Sequence, residues 1–583
     1  MTSHRPTIMA THQAVSSGHY LASQAALEIL NDGGNAVDAG IAACIALGVL
    51  HSDLVNIAGV APIMIRLAGS GEILTIDGLG TWPAAASVEF FCDRHGGRIP
   101  EGLLRTVVPA APAAWLLALE RFGTMAFAPV AAKAIQFARD GFPVFDLFAE
   151  FIHDHQPGYA CWPENSRIYL PHGRPPLMGE LFVQQDLAAS LQYMLDCEQS
   201  AAGKGRRAGL RAARDAFYKG DIARTLCDYH TANGGLLTLA DMAGYQARIE
   251  PPVKASFKDI DVYVCGPWCQ GPSLAQALAM LNQANSGTFE HNSPAYIHHL
   301  TETLKLVFAD REQYIGDPAF VDVPLEGLLS ERYAKARNAL IDPNQAIPGM
   351  PPAGEPGAGA ALGPLNSTSA GGQSRVDSHA TDPRDLASPP DTSYVSVIDA
   401  AGNVFSATPS DTSCDTEVIP GTGLCPSSRG SQSRAIAGHA ASVAPGKRPR
   451  LTPNPAMATR KGETLMAFGS PGGDVQIQAM IQVFLNIVQF GMDVQCAIEA
   501  PRFATYSYPS SFAPNDYHPD LLMLEKRIAA ATGSRLQDLG QRVEWWPDWT
   551  WKAGGVCAIV RDPATQILHA GADPRRAGYA LGN

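Results

Sequence analysis

A segment rich in proline, glycine and serine, residues 351–390, divides this chain and constrains how its two parts can fold. Such a composition cannot bury enough apolar surface to order itself, so we expect a disordered linker over about 351–391. At Thr392 the sequence changes abruptly to TSYVSVIDAAGNVFSAT, two runs of β-branched and aromatic residues around Gly402-Asn403. This pattern predicts a β-hairpin that begins at Thr392.

The threonine at this junction allows two interpretations. β-Branched residues favour strands, so an ordinary linker followed by a hairpin would give the same pattern. Alternatively, the chain cuts itself before Thr392 and uses the new N-terminus. A free α-amine, with a pKa near 8, can take the proton from the hydroxyl of its own residue. In the second interpretation Thr392 supplies both nucleophile and base.

Composition excludes some classes of partner. The net charge of −13 disfavours nucleic acid, because binding phosphates requires a basic surface. We find no stretch typical of a transmembrane helix and no apolar secretory signal, so no membrane partner is expected. The 11 cysteines show no pairing rhythm, which favours a reducing compartment. The chain is predicted to be a cytoplasmic protein of ordinary globular composition.

Apolar periodicity predicts helices on both sides of long β segments, which indicates an α/β layered sandwich. We expect two helices separated by Gly33-Gly34, paired strands over 58–77, helical structure over 104–143, a helix over 296–314 and an apolar helix over 475–490.

A glycine-rich loop, GSPGGD, follows an apolar run and precedes the last of these helices. Adjacent glycines, Gly472 and Gly473, let backbone N–H groups point at one spot, as in an oxyanion hole. The same geometry could cradle a phosphate or simply make a tight turn. The loop lacks the lysine of a P-loop, so nucleotide binding is weakly supported. No cysteine or histidine spacing predicts a metal site.

Several motifs resemble the γ-glutamyltransferase family of N-terminal-nucleophile hydrolases, and they occur in the family's order over almost the whole chain. They are LASQAALEILNDGGNAVDA, RFGTM, ARDGFPV, FADREQYIGDPAFVDVP, DTSYVSVIDAAGN, PGKRP, GSPGG, IEAPRF and GADPR.

The resemblance implies a proenzyme that cuts between Asp391 and Thr392. The products would be a large subunit, 1–391, and a small subunit, 392–583, folded together as a four-layer αββα sandwich. Thr392 matches the family's nucleophile, and Ser410 falls where the family has a supporting threonine. Gly472 and Gly473 match the oxyanion-hole pair. The implied reaction is acyl transfer from a small-molecule amide to water or an amine, with no cofactor and no metal.

The segments that would bind the acyl group depart from the family pattern. No arginine stands near Leu79, where the family has one for the substrate α-carboxylate, and only Thr452 remains of a serine pair. By position Arg429 replaces a glutamine and Gln432 an aspartate. Neither residue can pair with a substrate ammonium, whereas a guanidinium suits a carboxylate. We therefore expect Arg429, Gln432 and Thr452 to line an acyl pocket.

Three functions follow as hypotheses. The first is an autoprocessed γ-glutamyltransferase-like enzyme, acting on γ-glutamyl compounds such as glutathione or on related carboxyacyl amides. The second is an amidohydrolase or acylase of the cephalosporin- or oxamate-hydrolysing kind. The third is an uncleaved, non-catalytic binding protein, although the presence of Thr392, Gly472 and Gly473 argues against it. Arg429 could also be a structural loop residue.

Overall fold

A computed structural model describes residues 3–284, 289–357 and 392–583. Asp391, and with it the predicted cleavage junction, lies outside the described residues, as does the predicted linker from residue 358. Residues 351–357 belong to the packed body: the Gly354 N–H donates to Asp310 Oδ1 at 2.8 Å, and Tyr314 donates to the Gly354 carbonyl at 2.7 Å.

Two seven-stranded antiparallel sheets form the centre of the part of the protein that the structure describes. The strands are β1 (Ile8–Ala10), β2 (Ala14–Ser17), β3 (Ile63–Arg66), β4 (Ile73–Ile76), β5 (Phe142–Pro143), β6 (Leu181–Phe182), β7 (Ile249–Glu250), β8 (Val253–Phe257), β9 (Ile260–Val264), β10 (Val395–Ile398), β11 (Val404–Ala407), β12 (Ala456–Arg460), β13 (Glu463–Gly469), β14 (Phe503–Thr505), β15 (Leu521–Glu525), β16 (Arg542–Trp546), β17 (Cys557–Arg561), β18 (Leu568–Ala572) and β19 (Tyr579–Gly582). The first central sheet has the order β1-β18-β17-β13-β12-β9-β8, and the second has the order β19-β2-β10-β11-β3-β4-β7. Strands β14, β15 and β16 form a smaller sheet, and β5 pairs with β6.

The described residues also form helices, several of which pack on the outer faces of the two sheets. They are α1 (Tyr20–Asn31), α2 (Ala36–Leu50), α3 (Val88–His95), α4 (Ala111–Phe122), α5 (Phe127–Asp140), α6 (Asp146–Asp154), α7 (Gln156–Ala160), α8 (Pro163–Tyr169), α9 (Gln185–Ala201), α10 (Arg206–Tyr218), α11 (Asp221–Ala232), α12 (Leu239–Gly244), α13 (Gly271–Gln283), α14 (Pro294–Tyr314), α15 (Leu325–Leu328), α16 (Glu331–Asn338), α17 (Val475–Val488), α18 (Val494–Glu499) and α19 (Ala530–Asp538). Within the described ranges, no helix has both the length and the apolar character needed to cross a membrane.

The layers follow from where the apolar side chains point. Helices α1 and α2 pack on the second sheet, and α13, α17 and α18 pack on the first. Between the sheets lies an apolar layer that includes Met64, Val404, Met457 and Ile559. Burial of such surfaces is the main favourable term in folding. The predicted αββα sandwich is confirmed.

Helix α2 is buried along its whole length and contacts both β10 and β11. Gly40 permits this close approach, because a Cβ there would lie 2.1 Å from the Phe405 ring. Asn35 caps the helix by accepting from the Val37 and Asp38 N–H groups. The predicted pair of helices around Gly33-Gly34 is therefore present, and its second member supports the hairpin that follows Thr392.

Two predicted elements differ in detail. The hairpin begins at Val395 rather than at Thr392. Thr392 itself forms an isolated β-bridge with Ser410. The helical region predicted over 104–143 is two helices, α4 and α5, separated near Gly123.

The C-terminus meets the turn between β1 and β2 at the edge of the sandwich. Strand β1 pairs with β18, and β19 pairs with β2. The carbonyl of Asn583 accepts from the N–H groups of Thr11 and His12, at 3.1 and 2.9 Å.

Candidate active site

The hairpin formed by β10 and β11 brings Thr392 and Ser410 together. Thr392 precedes β10 and Ser410 follows β11, and the Ser393 N–H donates to the Pro409 carbonyl at 3.0 Å. The Thr392 Oγ1 lies 2.7 Å from the Ser410 Oγ, and both side chains are buried. The predicted nucleophile and its supporting hydroxyl are therefore in hydrogen-bond contact.

Arg429 lies directly behind this pair. Its Nη2 donates to the Ser410 Oγ at 2.5 Å, and its Nε lies 3.4 Å from Asp411 Oδ1. The guanidinium also sits over the Phe512 ring, 5.5 Å from its centroid. Because a guanidinium only donates, the Ser410 oxygen must accept from it, and the Ser410 proton can point toward Thr392.

Asp411 is the buried carboxylate that faces Arg429. Ser427 donates to its Oδ2 at 2.6 Å, and the Ser428 hydroxyl and N–H donate to its Oδ1 at 3.0 and 3.1 Å. Burial raises the pKa of Asp411 to about 6, although the Arg429 charge acts to lower it. Arg429 therefore has a carboxylate partner in Asp411 as well as its contact with Ser410.

The glycine-rich loop joins β13 to α17. Gly472 has φ +119° and Gly473 has φ +55°, a conformation that side chains rarely adopt. The following residue, Asp474, accepts from Arg311 Nη1 at 2.5 Å and from the hydroxyl and N–H of Ser511 at 2.6 and 2.8 Å. This buried ion pair anchors the loop from the side of the helix.

A second anchor connects the loop to the predicted acyl pocket. The Gln270 Nε2 donates to the carbonyls of Gly473, at 3.1 Å, and Thr452, at 2.9 Å. Gln432 is also buried, and its Nε2 donates to the Thr452 Oγ1 at 2.8 Å. Gln432 and Thr452 are thus in contact, and Gln270 joins them to the glycine-rich loop.

One residue in contact with Thr392 was missed by the sequence analysis. Gln476, in the first turn of α17, donates from its Nε2 to the Thr392 Oγ1 at 3.2 Å. Its N–H donates to the Gly473 carbonyl at 3.3 Å, so it connects the loop with the threonine. The only sequence signal was that Gln476 is one of four polar residues in a largely apolar helix and stands just after a candidate oxyanion loop.

The chain is similar to known proteins over almost its whole length. The model of the gamma-glutamyltranspeptidase family matches residues 22–583. The chain belongs to the γ-glutamyltranspeptidase family. It is 33% identical to the Acylase ACY 1 proenzyme of Pseudomonas sp. strain SE83, over 94% of this chain and 90% of that protein. It is 29% identical to the glutathione hydrolase proenzyme of Bacillus subtilis strain 168, over 97% and 91%.

A solved structure, LmbA2991HD, is 35% identical and superposes with a TM-score of 0.90, covering the whole of both chains. The resemblance to the γ-glutamyltransferase family is confirmed by these matches. As a γ-glutamyltranspeptidase-family member related to proenzymes over nearly its full length, the chain is an enzyme of the acyltransferase and amidohydrolase class, made as an autoprocessed precursor of two subunits.

Proposed function

We propose that the precursor cuts itself between Asp391 and Thr392, giving a large subunit of residues 1–391 and a small subunit of 392–583. The supporting observation is the Thr392 Oγ1, buried and held by Ser410 at 2.7 Å and by Gln476 at 3.2 Å. In this step the Thr392 Oγ1 attacks the Asp391 carbonyl carbon, and the peptide C–N bond breaks. The hydroxyl proton passes to the released nitrogen, and water then hydrolyses the ester to a carboxyl group and a free Thr392.

In turnover the same oxygen attacks a substrate amide. The α-amine of Thr392 takes the hydroxyl proton and gives it to the departing amine, which leaves an acyl ester on Thr392. Water or a second amine then attacks the ester, releases the acyl group and restores the threonine. Ser410 assists by donating to the attacking oxygen, because Arg429 already fills one acceptor site of the Ser410 hydroxyl.

The N–H groups of Gly472 and Gly473 would hold the oxyanion that forms on the carbonyl oxygen. Their positive φ angles support this role, because such a conformation allows successive N–H groups to converge. The Arg311–Asp474 pair fixes the loop before substrate arrives, so little reorganisation is needed in the transition state.

Arg429, Gln432 and Thr452 would line the acyl pocket. A substrate with an α-ammonium would lack a carboxylate partner from these three residues, whereas the guanidinium favours a carboxylate. We therefore infer a preference for carboxyacyl amides without an α-ammonium. A γ-glutamyl donor such as glutathione is the second candidate, supported by the family and by the glutathione hydrolase relative.

The cysteines bear on location. No disulfide joins the cysteines of the described residues, which supports a reducing compartment and hence the cytoplasm.

The first test is the intact mass of the purified protein under denaturing conditions. Wild-type protein should give two chains that match cleavage before Thr392, and Thr392→Ala should give one chain without activity. A Thr392→Ala protein that still splits at this bond would refute the mechanism.

Substrate preference is tested with two anilides of equal acyl length. Glutaryl-p-nitroanilide carries the distal carboxylate alone, and L-γ-glutamyl-p-nitroanilide adds an α-ammonium. We expect a higher kcat/KM for the glutaryl compound, and Arg429→Lys should narrow the difference because lysine cannot bind a carboxylate bidentately. A strong preference for the γ-glutamyl compound would favour the second candidate.

A further inference from the structure

Within the described part of the chain, the carboxamide of Gln476 forms a hydrogen bond through its nitrogen but not through its oxygen. Its Nε2 donates to the Thr392 Oγ1, while its Oε1 is buried and has no hydrogen-bond partner among the residues that the structure describes. The whole side chain is inaccessible to solvent. An unpaired buried acceptor is costly, so such an atom calls for an explanation.

Cleavage before Thr392 would create a donor close to this acceptor. In the precursor the Thr392 nitrogen is an amide with one N–H, and after cleavage it is an amine or ammonium with additional N–H groups. The nitrogen and Oγ1 of Thr392 sit on adjacent carbons, and the Nε2 and Oε1 of Gln476 share one carbon. A carboxamide whose Nε2 contacts Oγ1 can therefore present its Oε1 to the new amine.

We propose that Gln476 is a catalytic residue with two hydrogen-bonding roles, the second of which begins only after cleavage. Its Nε2 stabilises the negative charge that develops on the Thr392 Oγ1 during self-cleavage and turnover. Its Oε1 accepts from the liberated α-amine and holds that amine beside the hydroxyl it must deprotonate. This inference rests on the proposed role of Thr392.

The local structure fixes Gln476 in place for both roles. Its N–H bonds to the Gly473 carbonyl, so its backbone is tied to the loop that would bind the oxyanion. Asp474, two residues earlier, is held by Arg311 and Ser511. A side chain on such a rigid turn has little conformational entropy left to lose in the transition state.

A substitution at Gln476 leaves the other charged and titratable side chains around Thr392 in the protein. Arg429 and Asp411 lie behind Ser410, and the Arg311–Asp474 pair lies beyond the glycine-rich loop. On the side of β2, His51 Nδ1 lies 3.5 Å from Asp53 and its Nε2 contacts the Gly18 carbonyl. A difference in pH dependence between variants at residue 476 would therefore report the interaction of that side chain with the amine.

The experiment compares wild type, Gln476→Leu, Gln476→Glu and a matched control, Gln482→Leu, in the full-length protein. Gln482 is a buried glutamine of the same helix that donates to the Phe503 carbonyl, away from Thr392. Self-cleavage is followed by intact mass, and folding by circular dichroism and thermal unfolding. The pH profile of kcat/KM is measured with glutaryl-p-nitroanilide, or with L-γ-glutamyl-p-nitroanilide if only that compound is hydrolysed.

Gln476→Leu should cleave itself about 10- to 100-fold more slowly than Gln482→Leu, since a hydrogen bond to a developing charge is lost. In the mature Gln476→Leu protein the acid limb of kcat/KM should shift to lower pH, because the variant lacks an acceptor that favours the ammonium form of the Thr392 amine. In Gln476→Glu the acid limb should shift to higher pH, because a carboxylate favours that ammonium form more strongly than an amide does. Gln482→Leu should keep the wild-type acid limb even where it lowers thermal stability.

The inference is overturned if Gln476→Leu cleaves itself at the Gln482→Leu rate. It is also overturned if both Gln476 variants keep the wild-type acid limb. If Gln476→Leu does not fold, the acid limb of Gln476→Glu is decisive: a shift to higher pH supports the inference, and an unshifted limb overturns it. A wild-type protein that never splits would instead overturn the proposed function, since the mass measurement needs no substrate.

Discussion

At the scale of single residues, the site rests on a short chain of hydrogen bonds whose directions are largely fixed. Arg429 and the Nε2 of Gln476 can only donate, while the hydroxyls of Ser410 and Thr392 both donate and accept. Ser410 thus stands between the Arg429 guanidinium and Thr392, the proposed nucleophile. In the proposed mechanism its hydroxyl would transmit the polarity of Arg429 to the Thr392 oxygen.

Replacing this hydroxyl tests the arrangement. Ser410→Ala removes the 2.7 Å contact with Thr392 and the acceptor for Arg429. We expect self-cleavage and kcat to fall about 10- to 100-fold, the amount lost with one charge-assisted hydrogen bond. Ser410→Thr should retain most activity. Wild-type rates for Ser410→Ala, measured by intact mass and by anilide hydrolysis, would contradict this role.

The titration of Asp411 gives a pH-dependent prediction. Burial raises the pKa of Asp411 to about 6, so the folded protein holds this proton more tightly than the unfolded chain does. The stability it contributes is therefore fully present below about pH 4 and lost as the pH rises through about 6. Asp411→Asn should lack this loss, and its free energy of unfolding should rise relative to wild type by about 3 kcal/mol over that window.

Equilibrium unfolding in urea at several pH values between 4 and 7 measures this difference. Using the difference between variant and wild type cancels the titration of other buried carboxylates, such as Asp77, whose pKa burial also raises to about 6. A difference that stays constant with pH would show that Asp411 titrates normally.

At the scale of elements, the loop between β13 and α17 depends on an ion pair outside the reaction itself. Among the described residues, Asp474→Ala leaves the buried Arg311 with Glu312, 3.1 Å away, as its one remaining ion-pair partner. We expect a loss of about 3 kcal/mol in the free energy of unfolding and at least about a tenfold fall in kcat, because the proposed oxyanion donors lose their anchor.

Asp474→Asn should restore part of the activity, since it can still accept from Ser511. Glu331→Ala is a suitable control, because Glu331 forms an exposed helical pair with Lys335 and should matter little to either quantity. Thermal unfolding and anilide kinetics measure both effects. An Asp474→Ala protein with the wild-type kcat would show that the Arg311–Asp474 pair does not position the loop.

The sequence predicted the regular elements better than the connections around the candidate site. Apolar periodicity located α1, α2, α14 and α17, and the family motifs led to Thr392, Ser410 and the glycine pair. Gln476 and Asp411 could not be inferred in this way, because their importance arises from contacts between segments far apart in the chain. Asp411, for example, meets Arg429 through a loop whose path no local pattern specifies.

The start of the predicted linker also makes contacts that its sequence does not reveal. Residues 351–357 have the composition of a disordered segment, yet the carbonyl of Pro352 accepts from Arg337 and the N–H of Gly354 donates to Asp310. Backbone groups of any residue type can make such bonds, so composition alone could not reveal them.

At the scale of the whole molecule, each central sheet contains strands from both sides of the proposed cleavage. In the second sheet β10 and β11 lie between β2 and β3, and in the first sheet β12 pairs with β9. We therefore expect the cleaved subunits to remain one particle in native mass spectrometry and to separate only in denaturant. Dissociation of the subunits at neutral pH without denaturant would contradict this expectation.

The meeting of Thr11 and His12 with Asn583 has a consequence for protein engineering. Since Asn583 lies beside the turn that follows β1, a circular permutant could join residue 583 to residue 3 through a linker long enough to span β1, and begin at Thr392. Once the initiator methionine is removed, the proposed nucleophile would be N-terminal from the outset, without any self-cleavage. Activity in such a permutant would show that maturation contributes nothing to catalysis beyond exposing one amine.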